Sequence, residues 1–179
     1  MTATHHSLKS PLSLLISTYY LFYFALVGVY IIFMPKVLHD IGYSETEVGI
    51  IYAAAPFMRF LLPFAFRYLI VLNAKSYLLS LLFTALGTVL FFGTIDHFLS
   101  HLAANLFFGA AMGVSLPYVE TIALSHFSRD NYGRVRLWGS IGFIIIALWL
   151  GHLLDTPHQA LYYLSTLAFL VFFFGAMLI

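Results

Sequence analysis

Long apolar stretches separated by short polar breaks make up almost the entire chain. The first stretch runs from about Pro11 to Met34 and stops at Pro35-Lys36. The second covers about Thr46 to Tyr68, and Ser44-Glu45-Thr46-Glu47 before it reads as a capping box, with Ser44 as N-cap and Glu47 at N3. The third and fourth cover about Ser76 to Ile95 and His101 to Phe127. The fifth covers about Arg136 to Leu154, and the sixth runs from Pro157, after the helix-start signal Asp155-Thr156-Pro157, to the end of the sequence. A membrane-spanning helix needs roughly 20 apolar residues. Strands of a closed barrel alternate every second residue instead, and these runs do not. The pattern therefore predicts an all-α membrane protein with six spans, at about 11–34, 46–68, 76–95, 101–127, 136–154 and 157–179.

Composition agrees with that reading. The 179 residues are 62% hydrophobic and 8% charged, against about 25% charged in soluble domains. There are too few charges to cover a soluble surface. The 8 Lys and Arg residues are scattered, so there is no electrostatic footprint for nucleic acid. Cysteine is absent, which removes disulfides, thiol catalysis and thiolate metal sites.

Placement of basic residues sets the expected orientation. Lys9, Arg67, Lys75, Arg129, Arg134 and Arg136 fall on one side and only Lys36 on the other. Both termini are expected on the cytoplasmic side. The absence of cysteine and of a eukaryotic sorting signal fits a bacterial inner membrane. The segment Thr2–Ser10 is too polar for the apolar part of a signal peptide, so the first span reads as retained.

Charge within a span normally faces a bundle interior or a wet cavity. The third and sixth spans carry none and read as peripheral. The second, fourth and fifth carry Arg59, Glu120 and Arg136. At ~1.5 Å per residue, Arg59 and Glu120 each lie about 12 Å inside the cytoplasmic edge. They are candidates for substrate contact or for a structural clamp, and Arg136 for a site residue or a topology signal at a helix end. Tyr52, Pro56, Arg59 and Pro63 share a helical stripe, as do Gly109, Gly113, Pro117 and Glu120. Tyr19, Tyr23 and Tyr30 share a face of the first span, where rings and hydroxyls can line a solute site or simply pack. His97 and His101 have helical metal-ligand spacing but no third ligand in sequence. No hydrolase, metalloprotease or phosphate-loop motif occurs, so the sequence predicts no enzyme activity, cofactor or metal.

Two stretches carry a resemblance. Phe22-Tyr23-Phe24 through Leu38-His39-Asp40-Ile41 to Gly49-Ile50-Ile51-Tyr52-Ala53-Ala54 resembles the first two spans of the lactose permease group in the major facilitator superfamily. Val119-Glu120 followed by Tyr132-Gly133-Arg134-Val135-Arg136-Leu137-Trp138-Gly139-Ser140 resembles the fourth and fifth spans of that group and of the phenylpropionate permease group. Arg59-Phe60 is more similar to the latter. The superfamily's Gly-x-x-x-Asp-(Arg/Lys)-x-Gly-x-(Arg/Lys) loop between spans two and three is missing, and Arg67 to Lys75 stands in its place.

The resemblance implies two inverted three-helix repeats, together one half of a twelve-helix transporter. It implies substrate contacts at Glu120 and Arg136, to which the residue reading adds Arg59, Tyr19, Tyr23 and Tyr52. The expected function is proton-coupled transport of a small solute, an aromatic carboxylate or a sugar-like molecule, by alternating access. The expected partners are the lipid bilayer, protons and a second six-helix half, either a C-terminal half or a second copy. A scaffold or fragment without transport is the contrasting expectation.

Overall fold

The computed structural model describes residues 10–68 and 71–179, and of positions 63 and 65–68 it describes the backbone only. Lys9 and the side chains of Pro63 and Arg67 lie outside the described residues. All regular structure among the described residues is helical. Helix α1 is one rod from Pro11 to Asp40, made of an α segment Pro11–Gly28, a π turn Val29–Phe33 and a second α segment Met34–Asp40. The others are α2 (Glu45–Tyr68), α3 (Ala74–Thr94), α4 (Phe98–His126), α5 (Arg129–Leu153) and α6 (Gln159–Ala176). Of these, α1, α3, α4, α5 and α6 are long and apolar enough to cross a membrane. The protein is multi-pass.

The boundaries depart from the sequence reading most at α1 and α5, and α6, expected over 157–179, covers Gln159–Ala176. The first span was expected to end before Pro35-Lys36, yet α1 continues to Asp40. Proline lacks an N–H and crowds the preceding turn. Here that turn is a π turn, in which the Met34 N–H reaches back to the Val29 carbonyl, so the wider turn admits Pro35 without ending the helix. The rod ends at a Schellman motif: Gly42, at φ 102°, donates to the His39 carbonyl at 3.0 Å and Tyr43 to that of Leu38 at 3.1 Å. The fifth span was expected from Arg136, yet α5 begins at Arg129, where the Ser128 hydroxyl caps the Asn131 N–H. Its first turns are polar and escape a reading by apolarity alone. The capping box before α2 forms as read: the Ser44 N–H donates to Glu47 Oε2 at 2.9 Å and the Glu47 N–H to Ser44 Oγ at 3.3 Å.

Helix α1 packs most extensively on α5, and α4 packs on both α2 and α3. Small residues permit the approach, since helix association in a membrane rests on van der Waals packing rather than on a hydrophobic drive. A Cβ at Gly142 of α5 would strike the Leu21 backbone of α1, and one at Gly109 of α4 would strike Ala55 of α2. Helix α3 packs on α4 and α6, and α6 also packs on α1. The core is aromatic, with Tyr19, Tyr20, Tyr23, Tyr77, Phe91 and Phe108 fully buried.

Candidate functional site

Helices α4 and α5 are joined by only Phe127 and Ser128. Glu120 lies six residues before the end of α4 and Arg136 seven residues after the start of α5, so both sit about 10 Å into the bundle from the shared turn at ~1.5 Å per residue. The structure brings them together. Arg136 Nε donates to Glu120 Oε1 at 3.3 Å, with the side chains 30% and 32% exposed. Elsewhere α4 and α5 barely touch, so the pair bridges an opening between helices rather than sealing a packed seam. Arg136 is therefore not a loop cation; it lies two turns inside the helix.

Two rings of α1 complete the arrangement. The Arg136 guanidinium carbon lies 4.1 Å from the Phe24 ring centroid and 5.0 Å from that of Tyr20. Such cation–π contacts contribute about 0.5–2 kcal/mol each. Gly139, one turn beyond Arg136, makes room for them, because a Cβ there would lie 2.6 Å from Phe24 Cδ2 and 3.0 Å from Arg136 Nη1. Neither Tyr20 nor Phe24 was among the residues singled out from sequence. Their signal was available: they stand four apart on one face of α1, adjacent to the face of Tyr19 and Tyr23.

Arg59 is exposed and makes no ion pair among the described residues. Its Nε donates to the Ala55 carbonyl at 3.4 Å. Its stem crosses α4 at Gly113, where a Cβ would meet Arg59 Cγ at 3.2 Å. Gly113 is seven residues from Glu120, about 10 Å along α4. Arg59 is thus not the clamp on Glu120; that place belongs to Arg136. Tyr23 reaches the same level, its hydroxyl donating to the Met112 carbonyl of α4 at 3.3 Å. Tyr19 stacks on Tyr23 with ring centroids 5.6 Å apart, and its own hydroxyl is buried with no hydrogen-bond partner among the described residues. Both tyrosines are core residues, inward of the opening.

Tyr52 belongs to a separate polar cluster nearer the other end of the bundle. Its hydroxyl donates to the Tyr30 carbonyl in the π turn at 2.9 Å, and the Tyr30 hydroxyl donates to Asn105 Oδ1 at 2.7 Å. Asn105 Nδ2 in turn donates to the His101 carbonyl at 2.8 Å. His101 is buried against Phe91, with ring centroids 4.9 Å apart, and its Nδ1 lies 3.4 Å from the Thr94 hydroxyl. Among the described residues no group of three His, Cys, Asp or Glu could hold a metal ion.

The structure thus places one carboxylate and two guanidinium groups on α2, α4 and α5, with aromatic rings against one of the guanidinium groups. Glu120 neutralises Arg136 and leaves Arg59 as the uncompensated charge of the three. No solved structure matches the chain. A family model described as the MFS_1 like family matches residues 13–179. Helical multi-pass architecture and a match over nearly the whole sequence agree: the chain belongs to the MFS_1 like family, within the major facilitator superfamily of membrane transporters.

Proposed function

We propose that this chain is one six-helix half of a proton-coupled solute transporter of the lactose permease and phenylpropionate permease group. Its wall of α1, α2, α4 and α5 faces a central cavity that opens alternately to the two sides of the membrane. The single observation that carries this reading is the Arg136–Glu120 pair, one-third exposed and backed by Phe24 and Tyr20. Each unpaired charge at mid-span costs roughly 2.5–3.5 kcal/mol. A pair left open at this depth is suited to exchange its mutual contact for contact with a polar solute.

The packing pattern supports two inverted three-helix repeats. Exchanging α1 with α4, α2 with α5 and α3 with α6 turns the α1–α5 contact into α4–α2 and the α3–α4 contact into α6–α1, while α3–α6 maps onto itself. All of these contacts occur. Consecutive spans run in opposite directions, so that exchange inverts the membrane, as in many transporter repeats. Helix α2 is read as the remaining span, since its 24 residues extend about 36 Å at 1.5 Å per residue.

Arg59, Glu120 and Arg136 sum to a formal +1, which favours a small monoanion such as an aromatic carboxylate over a neutral sugar. The exposed rings Phe57, Phe60 and Phe64 of α2 and the exposed Leu148 and Trp149 of α5 favour cover by a second six-helix unit. A second copy of this chain is the alternative to a C-terminal half.

Uptake of labelled phenylpropionate and of lactose into proteoliposomes, with and without an inward proton gradient, tests the reading in the intact transporter. Gradient-dependent phenylpropionate uptake that Arg136→Gln abolishes and Arg59→Gln reduces at least tenfold is expected. Wild-type uptake by Arg136→Gln refutes the site. Uptake by this chain alone, with the protein cross-linking as a dimer, selects the second-copy arrangement.

A further inference from the structure

A pocket of about 270 Å³ lies between the first turns of α1 and the second turn of α5, lined by Ser13, Leu14, Ser17, Arg134, Val135 and Trp138. Each helix supplies positions i, i+1 and i+4, so the lining is two facing helical stripes. Ser13 and Ser17 are 3% and 7% exposed, yet neither hydroxyl has a hydrogen-bond partner among the described residues, and neither is sealed from the pocket. Serines in a helix commonly turn the hydroxyl onto their own backbone, as Ser80 and Ser115 do here. Ser13 and Ser17 do not. Arg134, on the facing stripe, makes no ion pair among the described residues, and no carboxylate lines the pocket.

Two buried serines and the exposed Arg134 therefore line one space that holds no carboxylate to accept their hydrogen bonds. That is a donor set for an oxyanion with several acceptor oxygens. The rim is apolar and amphipathic: Leu14 is 70% exposed and Trp138 46%. An exposed leucine beside an exposed tryptophan at a helix end suits the boundary between headgroups and acyl chains, where tryptophan concentrates. The pocket also lies at the end of the bundle where Arg129, Arg134 and Arg136 collect, the end that the positive-inside rule assigns to the anionic cytoplasmic leaflet.

We propose that this pocket holds the phosphate of an anionic phospholipid, with Arg134, Ser13 and Ser17 as donors and Leu14 and Trp138 against the glycerol and upper acyl chain. It is separate from the solute site: Arg136 projects to Glu120 on α4, whereas Arg134 and Trp138 face the α1 stripe. A lipid bound here bridges α1 and α5, the pair with the most extensive packing.

Fluorescence tests this in the full chain. The protein has 2 tryptophans, and Trp149 is exposed, so Trp149→Phe leaves Trp138 as sole reporter. The protein in phosphatidylcholine nanodiscs is titrated with phosphatidylglycerol brominated on its acyl chains, and in parallel with equally brominated phosphatidylcholine. Half-maximal quenching at a mole fraction about tenfold lower for phosphatidylglycerol is expected. Arg134→Gln is expected to cost about fivefold of that preference, in line with one basic residue at an anionic surface. Ser13→Ala with Ser17→Ala is expected to reduce it too, while Arg129→Gln, outside the pocket, leaves it unchanged. Equal quenching by the two lipids overturns the proposal. So does an Arg129→Gln effect equal to that of Arg134→Gln, which would mean diffuse attraction. Displacement by 10 mM inorganic phosphate would make the pocket a site for soluble anions and also overturns it. Quenching by neither lipid means that protein, such as a second six-helix unit, fills the pocket.

Discussion

Adding one methyl group at position 139 tests how Arg136 is held. An alanine Cβ there would sit 2.6 Å from Phe24 Cδ2, 3.2 Å from Phe24 Cγ and 3.0 Å from Arg136 Nη1. Carbon atoms pack best at roughly 3.5–4.0 Å, so the Phe24 ring must retreat by about 1 Å. That ring lies 4.1 Å from the guanidinium carbon and cannot retreat without loosening its stack. Overpacking costs about 1–3 kcal/mol, while alanine gains about 0.8–1.0 kcal/mol of helix propensity over glycine. Net stability should therefore fall by about 0–2 kcal/mol. Solute affinity should not be spared, because losing a cation–π contact of about 0.5–2 kcal/mol frees Arg136 from its position beside Glu120. Loss of about 1–2 kcal/mol is a 5- to 30-fold weaker Kd. Gly133→Ala is the matched control: it lies on the same helix, gains the same propensity, and meets nothing within 4 Å. Binding of labelled phenylpropionate, the solute proposed above, to the purified protein, with a thermal melt of each variant, measures both quantities. Solute affinity of Gly139→Ala within twofold of Gly133→Ala would refute the account of Arg136.

Gly142→Ala should lower the melting temperature relative to Gly151→Ala, since the first Cβ meets the Leu21 backbone, which cannot swing aside, and the second has only Phe33 Cε1 at 3.8 Å; a difference of about 1–3 kcal/mol is expected from overpacking. Asn105→Ala should destabilise by about 1–3 kcal/mol, because it strands the buried Tyr30 hydroxyl, and Tyr30→Phe in the same background should recover part of the loss in a detergent melt. Ser44→Ala should cost about 0.5–2 kcal/mol through loss of the α2 cap, with amide exchange faster at Glu47 and unchanged at the far end of the helix.

Much of the architecture was readable in the chain because the bilayer imposes it. Apolar length locates helices whatever their neighbours, and the Ser44 break locates the start of α2, whereas α6 begins at Gln159 behind His158, after the Asp155-Thr156-Pro157 signal. Boundaries failed where local chemistry outruns the hydrocarbon. Polar first turns carry α5 back to Arg129, and a π turn carries α1 past Pro35. Charged residues were legible as candidates because burying them is expensive, but their pairing was not. Arg59 and Glu120 matched in depth on paper, whereas the two-residue turn between α4 and α5 matches Glu120 with Arg136 instead.

The aromatic residues mark the same limit. Tyr19 and Tyr23 stood out as a repeating face, but rotation of α1 puts that face into the core and turns Tyr20 and Phe24 toward Arg136. By itself the sequence determined that this is a helical membrane protein, because that follows from the transfer of residues from water to lipid, and it offered spans and intramembrane charges only as candidates. Which charges meet, which rings flank them and which serines keep their hydroxyls free were decided only by the rotation and spacing of packed helices, a property of pairs of helices that no single stretch of sequence contains.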